Sequence, residues 1–223
     1  MKQFNKDIAV YYNNINGYQS KRESFLKIIQ CDEPDIIALC ETKRPELNTI
    51  KKDEIPGYAV LERNVKQGKE GLLFAVKKGT YKTIREITES ELKSIMTVKI
   101  EYQDINIRVV IGHAPQETAK YEERSDFFNE LAEQVERALT SGDKLIVVGD
   151  MNARIEKSGG TLQGISPNGK LLKEVIDEYE LEAANFHEKT EGKLTRIQPR
   201  KDGSTTIHQP WTIVCLKRTH TKR

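Results

Sequence analysis

This chain has few of the features that mark secreted, membrane-spanning or zinc-binding proteins. Its three cysteines, Cys31, Cys40 and Cys215, are odd in number and lack the paired spacing of a zinc site or a disulfide framework. No apolar run approaches the roughly 20 residues that a helix needs to cross a bilayer, and the first residues lack the apolar stretch of a secretion signal. We therefore expect an intracellular protein in a reducing compartment, without a membrane partner.

The net charge is also small. The 223 residues carry a formal charge of +2, too little to indicate a nucleic-acid-binding protein by composition alone. The distribution is uneven, because residues 193–223 hold eight lysines and arginines and one acid, Asp202. Such a basic end contacts phosphates in some proteins and is a solvated tail in others, and both interpretations stay open.

Apolar runs typical of strands alternate with amphipathic stretches typical of helices. Strands are predicted at 8–12, 35–40, 71–76, 95–101, 105–111 and 145–148. Helices are predicted at 20–31, with Ser20 as N-cap, at 121–139 and at 169–181. The alternation indicates an α/β layered domain with mixed sheets.

The junction after the strand at 145–148 is the most informative point of the sequence. Gly149 is expected to let the backbone turn, so that Asp150 and Asn152 stand at the carboxyl end of the strand. A carboxylate there costs free energy to bury unless a metal or a hydrogen-bond donor compensates its charge. A carboxylate that accepts hydrogen bonds, next to an amide that can donate them, is suited to act on a polarised water and to contact a phosphate oxygen. The alternative is an ordinary turn, since Gly, Asp and Asn are common turn formers.

Polar side chains follow three other predicted strands. Asn14 and Asn16 follow the first strand, Glu41 follows the second, and His113 follows the strand at 105–111. Ligands of layered α/β domains bind where strand ends and their loops gather. Carboxylate and amide oxygens without cysteine favour Mg²⁺, or Mn²⁺, over zinc. Each residue taken alone is better explained otherwise, Asn14 and Asn16 as a tight turn, Glu41 as a carboxylate at a helix start and His113 as a surface loop residue, but together they favour a cation site.

Several short motifs carry a family resemblance. These motifs are Asn14-Ile15-Asn16-Gly17, Glu41-Thr42-Lys43, Ala114-Pro115 and Gly149-Asp150-Met151-Asn152-Ala153. In this order they resemble the endonuclease/exonuclease/phosphatase superfamily over about residues 7–206, with the greatest likeness to the apurinic-endonuclease-like domain of non-LTR retrotransposons. The resemblance implies a four-layered α/β sandwich of two mixed sheets flanked by helices, and Mg²⁺-dependent cleavage of phosphodiester bonds in DNA.

The resemblance also implies roles for individual residues. Glu41 binds the metal, and Asn16 lies beside the metal. Asn14 and Asn152 hold the scissile phosphate, and Asp150 orients the attacking water. Two further residues belong to this expectation: Thr195 matches a DNA-contacting position of the retrotransposon domains, with Arg196 next to it. His113 stands where family members usually carry Tyr, and its imidazole can still donate to a phosphate oxygen.

The C-terminal end departs from the family pattern. The family has a late strand with hydrophobic-Asp-Tyr or hydrophobic-Asp-His and a final Ser-Asp-His, and this sequence has neither. The segment Pro210-Trp211-Thr212-Ile213 is encoded by CCN-TGG-ACN-ATH, which reads NTG-GAC-NAT two nucleotides later. That frame specifies an apolar residue, Asp, and then Tyr, His, Asn or Asp. We therefore predict a domain over residues 1–207 and an aberrant, out-of-frame tail over 208–223, which leaves the C-terminal strands incomplete.

These observations predict a monomeric DNA-nicking endonuclease of a retrotransposon, nuclear in a eukaryote, with DNA as substrate and a reverse transcriptase domain downstream in the intact gene. Its rate is expected to be impaired, because loss of a His-Asp unit typically costs several orders of magnitude. Two alternatives stay open. One is a phosphoesterase of the same superfamily that acts on abasic DNA, nucleotides or lipid head groups. The other is a non-catalytic remnant that binds metal or DNA weakly.

Overall fold

The computed structural model describes residues 8–44, 55–65, 70–102, 105–155 and 164–184, and the backbone of three short strands beyond them. The elements, in chain order, are β1 (Val10–Asn14), α1 (Tyr18–Asp32), β2 (Ile36–Cys40), β3 (Tyr58–Arg63), β4 (Leu72–Lys77), β5 (Thr83–Glu86), β6 (Ile95–Tyr102), β7 (Ile105–His113), α2 (Tyr121–Thr140), β8 (Lys144–Asp150), α3 (Pro167–Glu178), β9 (Glu182–Ala183), β10 (Arg196–Pro199), β11 (Thr205–His208) and β12 (Cys215–Leu216).

Two mixed sheets form the centre of the fold. The first has four strands in the order β1-β2-β4-β3, with β1 parallel to β2 and the other pairs antiparallel. The second has six strands in the order β5-β6-β7-β8-β12-β9, with β7 parallel to β8 and the other pairs antiparallel. Strands β10 and β11 pair with each other as an antiparallel hairpin.

Three apolar cores separate four layers. The two sheets pack face to face, with Ala38 and Phe74 from the first sheet in the same buried cluster as Val109 and Val148 from the second. Helix α1 covers the outer face of the first sheet through Phe25 and its neighbours. Helices α2 and α3 cover the outer face of the second sheet. The α/β four-layered sandwich of two mixed sheets is therefore confirmed.

Burial explains why the central strands are apolar on both faces. Every residue of β2 is buried, because α1 covers one side of its sheet and the second sheet covers the other. Strands with two covered faces read as continuous apolar runs. Within the described residues, no helix is long and apolar enough to cross a membrane.

The helix starts differ from the sequence expectation. Helix α1 begins at Tyr18 after Gly17, and the Ser20 hydroxyl donates to the Gly17 carbonyl oxygen at 3.0 Å, so the prediction of Ser20 as N-cap is wrong. Helix α3 begins at Pro167, two residues earlier than predicted. Its N-cap is Ser166, whose hydroxyl accepts from the Gly169 amide at 3.1 Å.

At the C-terminal end, the backbone of β12 lies between β8 and β9. Cys215 pairs with Val147 on one side and with Ala183 on the other. Apolar residues of the segment 208–223 thus add strand to the second sheet. The division of the chain at residue 208 stays a prediction.

Candidate active site

The ends of four strands meet at one edge of the sandwich. Strands β1 and β2 of the first sheet and β7 and β8 of the second end there. A cleft of about 680 Å³ opens at this edge. Its lining includes all five residues predicted as catalytic: Asn14, Glu41, His113, Asp150 and Asn152.

The Asn14 side chain joins the two sheets at this edge. Its amide nitrogen donates to Glu41 Oε1 at 2.8 Å and to Asp150 Oδ2 at 2.9 Å. Its carbonyl oxygen accepts from the backbone N–H of Asn16 at 3.2 Å, which fixes the direction of the amide. Two carboxylates from different sheets are therefore held on the two hydrogens of one amide group.

Glu41 faces three donors. Its Oε1 atom accepts from Asn14 and lies 3.6 Å from His113 Nε2, and its Oε2 atom lies 3.2 Å from Lys43 Nζ. Burial raises the pKa of this carboxyl, but the hydrogen bonds from Asn14 and Lys43 and the proximity of the His113 imidazole and the Lys43 ammonium outweigh burial and lower it below the usual range. Glu41 therefore stays ionised at neutral pH, and its contribution to stability is lost only as the pH falls through that lowered pKa.

Asp150 and Asn152 are fixed by the backbone that follows β8. Asp150 Oδ1 accepts from the Asn152 N–H at 3.2 Å. The Asn152 side-chain amide donates to the Ala114 carbonyl oxygen at 2.7 Å, and the Ala114 N–H donates to the Asp150 carbonyl oxygen at 2.8 Å. These bonds connect the loop after β7 to the loop after β8. Asp150 still lines the cleft despite these hydrogen bonds.

Gly149 has a different role from the turn expected of it. It lies inside β8 and pairs with Gly112 of β7. A Cβ atom at Gly149 would stand 2.0 Å from the Gly112 carbonyl oxygen. The expectation of a backbone turn at Gly149 is therefore wrong, and the glycine is required because the two strands approach closely just before Asp150.

The backbone of the site is held in an unusual conformation. Asn16, Glu41, Lys43 and Asn152 all have positive φ angles, of 46°, 51°, 53° and 42°. This left-handed region is uncommon for residues other than glycine, and it costs free energy that the surrounding structure must supply. The turns after β1, β2 and β8 are thus shaped to aim particular side chains.

A buried pair lies beneath the carboxylates. Burial raises the pKa of the Cys40 thiol to about 12, so Cys40 is not a thiolate nucleophile at neutral pH. Its thiol donates to the Gly112 carbonyl oxygen at 3.4 Å. Burial also raises the pKa of Tyr12 well above its usual range, as do its side-chain contact with Cys40 and the neighbouring carboxylates of Asp150 and Glu41.

Some cleft residues were not predicted from the sequence. The cleft lining also includes Lys93, Ser94, Gln116 and Thr118. Lys93 is exposed and places a cation at the rim. The residues around Lys93 in the sequence form no recognisable motif. Only the three-dimensional pairing of β6 with β7, which sets Ile95 opposite Gly112, brings this segment beside His113.

The remaining predicted residues lie apart from the cleft or outside the described residues. Asn16 is exposed and does not line the cleft, and its Oδ1 accepts from Lys43 Nζ. Thr195 lies outside the described residues. Arg196 begins β10, where the structure describes the backbone alone.

The donor set suits a hard cation. The oxygens of Glu41 and Asn16 already converge on one positively charged group, the Lys43 ammonium. Among the described residues, no cluster of three or more His, Cys, Asp and Glu side chains is arranged to hold an ion. One carboxylate with an amide oxygen fits Mg²⁺, which keeps several waters and takes few protein ligands.

Solved structures share this fold at low sequence identity. A 3′-5′ exonuclease from Neisseria meningitidis is 12% identical with a TM-score of 0.73, and 94% of this chain matches 86% of that one. An AP endonuclease from Archaeoglobus fulgidus is 16% identical with a TM-score of 0.72, at 94% and 86% coverage. The endonuclease domain of TRAS1, a telomere-specific non-LTR retrotransposon, is 16% identical with a TM-score of 0.62, at 94% and 85% coverage.

The family model described as "Endonuclease/Exonuclease/phosphatase family" matches residues 14–209. That span begins at Asn14, the last residue of β1, whose amide bridges the two carboxylates, and it includes β2, β7 and β8, whose ends also line the cleft. The chain therefore belongs to the endonuclease/exonuclease/phosphatase family.

Proposed function

We propose that this protein hydrolyses phosphodiester bonds in DNA with Mg²⁺, or Mn²⁺, as a nicking endonuclease of the retrotransposon type. The observation that carries the proposal is the Asn14 amide, which holds Glu41 and Asp150 together in one cleft. The two acids have different surroundings, since Glu41 faces the Lys43 ammonium and the His113 imidazole, whereas Asp150 faces amide and backbone donors. Such a difference suits one carboxylate as a metal ligand and the other as a base.

In this mechanism the chain's own residues bind and orient the reactants. Glu41 and Asn16 would hold the ion, which when bound supplies positive charge to a phosphoryl oxygen. Asp150 accepts the proton of the attacking water, because it is a carboxylate at the cleft whose Oδ2 is held by the Asn14 amide and whose Oδ1 is held by the Asn152 N–H. Asn152 and His113 donate to phosphate oxygens. Asn14 would join them, as the family resemblance implies, by releasing one of the two carboxylates that its amide hydrogens hold.

DNA is the substrate that the comparisons favour. One neighbouring structure is a 3′ phosphatase from Neisseria bound to a product DNA hairpin, and another is a retrotransposon endonuclease domain. Members of the family generally use divalent metal ions. Lys93 at the rim adds a cation that suits a backbone phosphate. A reverse transcriptase downstream and a nuclear location remain part of the same proposal.

A second candidate is a remnant that binds metal or DNA without turnover. The absence of Ser-Asp-His from the sequence favours it, since none of the histidines follows an Asp. His113 is the imidazole that the structure places in the cleft, and its 3.6 Å approach to Glu41 offers one substitute for the missing group.

A nicking assay separates these candidates. Supercoiled plasmid is incubated with Mg²⁺ and the chain, with its Glu41→Gln variant, and with Glu23→Gln, which removes an exposed carboxylate on α1. We expect nicking by the parent and by Glu23→Gln, and none by Glu41→Gln. Equal nicking by all three would reject the assignment of Glu41. No nicking by any of them, with Mg²⁺ binding retained, would favour the remnant. Plasmid carrying abasic sites tests the alternative substrate.

A further inference from the structure

We propose that Lys43 is a built-in counter-cation that occupies the metal position when no metal is bound, and that the ion must displace it. This inference rests on the proposed metal-dependent function. It concerns the third residue of the Glu-Thr-Lys motif, to which the sequence assigned no role.

The position of the ammonium group is the first argument. Lys43 Nζ lies 3.2 Å from Glu41 Oε2 and donates to Asn16 Oδ1. These two oxygens belong to the two residues that would hold the ion. The other Glu41 oxygen, Oε1, is taken by Asn14. A divalent ion between Glu41 Oε2 and Asn16 Oδ1 would therefore stand where the ammonium stands, and two positive charges cannot share that place.

The local backbone shows that only the Lys43 side chain needs to move. The Thr42 N–H donates to the Gly71 carbonyl oxygen at 3.1 Å, and the Lys43 N–H donates to the Glu70 carbonyl oxygen at 2.8 Å. A Cβ at Gly71 would lie 2.4 Å from Thr42 Oγ1, so the motif packs tightly on that segment. The Lys43 side chain itself is 38% exposed, so its ammonium has room to leave toward solvent.

Charge balance explains why a lysine stands at this position when no metal is bound. Without metal, Glu41 and Asp150 face each other across one amide, and their like charges repel. The Lys43 ammonium offsets that repulsion and keeps the empty cleft assembled. When an ion arrives, the ammonium becomes a competitor, and once displaced it is a cation beside the cleft that can contact a substrate phosphate.

Mn²⁺ binding to the full chain tests the proposal, measured by calorimetry and by electron paramagnetic resonance of free Mn²⁺. Lys43→Met keeps the length of the side chain and removes its charge. We expect Mn²⁺ to bind Lys43→Met about tenfold tighter than the parent, because a unit charge next to a dication is lost. Lys27→Met on α1, whose ammonium pairs with Glu23 at 3.0 Å, is the matched control and should leave the affinity unchanged. Lys43→Gln serves as a second neutral variant.

Competition at Glu41 has a further signature. The gain from Lys43→Met should disappear in the Glu41→Gln background, since the ligand for which the two cations compete is then lost. In thermal unfolding, Lys43→Met should be less stable than the parent in EDTA but not in saturating Mn²⁺. A purely structural lysine would lower both melting temperatures.

The outcomes separate the inference from the function on which it rests. If the parent binds Mn²⁺ and Lys43→Met binds it no tighter, the competition is overturned and the metal site stands. If the gain persists in Glu41→Gln, Lys43 acts through the general field of the cleft and the proposed position is overturned. If neither the parent nor Lys43→Met binds Mn²⁺, both the metal-dependent function and the inference fail.

Discussion

The two ends of β8 carry aspartates with opposite surroundings. Asp143, just before the strand, has a side chain only 1% exposed, and it accepts from Arg108 Nη2 at 2.9 Å, Arg108 Nε at 3.1 Å and Lys99 Nζ at 3.0 Å. Asp150, at the other end, accepts from the Asn14 amide and the Asn152 N–H. Among the described residues, no lysine or arginine forms an ion pair with Asp150.

This difference separates an acid that stabilises the fold from an acid that is available to a ligand. At Asp143 the protein itself supplies the opposite charge, and the pair is closed to solvent. At Asp150 the donors are neutral, and the carboxylate faces the cleft. Carboxylates that a fold leaves without a cation in a cleft are candidates for function. Substitutions at the two ends should therefore affect different properties.

Asp150→Asn should have the largest effect, and it should be on rate. Without a carboxylate to accept the proton of water, Mg²⁺-dependent plasmid nicking should fall by about 10³-fold. Stability to urea should be equal to that of the parent or greater, because the repulsion between Asp150 and Glu41 is removed. A variant that nicks as fast as the parent would show that Asp150 is not the base.

Asp143→Asn should instead reduce stability. It leaves the Arg108 guanidinium and the Lys99 ammonium without their carboxylate, and breaking a buried pair costs about 3–5 kcal/mol. Urea unfolding followed by circular dichroism measures this loss, and nicking per folded molecule should not change. Asp177→Asn is the control, because its exposed pair with Lys173 on α3 should matter little. If Asp143→Asn is as stable as Asp177→Asn, the contrast between the two ends of β8 is wrong.

Tyr12→Phe should have the smallest effect. The Tyr12 hydroxyl is buried beneath the cleft beside the Cys40 thiol, a weak hydrogen-bonding group, and no oxygen or nitrogen within the described part of the chain hydrogen-bonds to it. Removing it leaves the ring in place, so stability should be unchanged or higher by up to about 1 kcal/mol. Urea unfolding tests this as well. A clear loss of stability would mean that the hydroxyl makes a stabilising hydrogen bond. The interior beneath Asp150 would then be more polar than the neutral donors around Asp150 indicate.

The sequence predicted the strands with two buried faces and the polar residues that follow them. A continuous apolar run such as Ile36–Cys40 has few alternatives to a buried strand, and the residue after it is exposed to the cleft by necessity. Strands β3 and β5 were not predicted, because β3 is largely half-buried, β5 is mostly exposed, and their compositions are mixed. Strands with such mixed burial show no regular alternation of apolar and polar residues in the sequence.

Site details that depend on distant backbone could not be predicted. Gly149 reads as a turn residue locally, and its requirement comes from Gly112 on the neighbouring strand. The direction of the Lys43 side chain depends on a left-handed backbone at Lys43 and on carbonyls of the segment before β4. Both features depend on contacts between segments that are distant in the sequence, so no local sequence pattern predicts them.

The Asn14 amide binds Asp150, which lies 136 positions later in the chain, and Glu41, which lies 27 positions later. Contacts so distant in sequence form slowly, since the chain must lose loop-closure entropy before they close. The cleft therefore comes into existence only when the two sheets have docked in register. An ion or phosphate bound there would hold that docking, so a saturating ligand should slow the unfolding step in which the sheets separate.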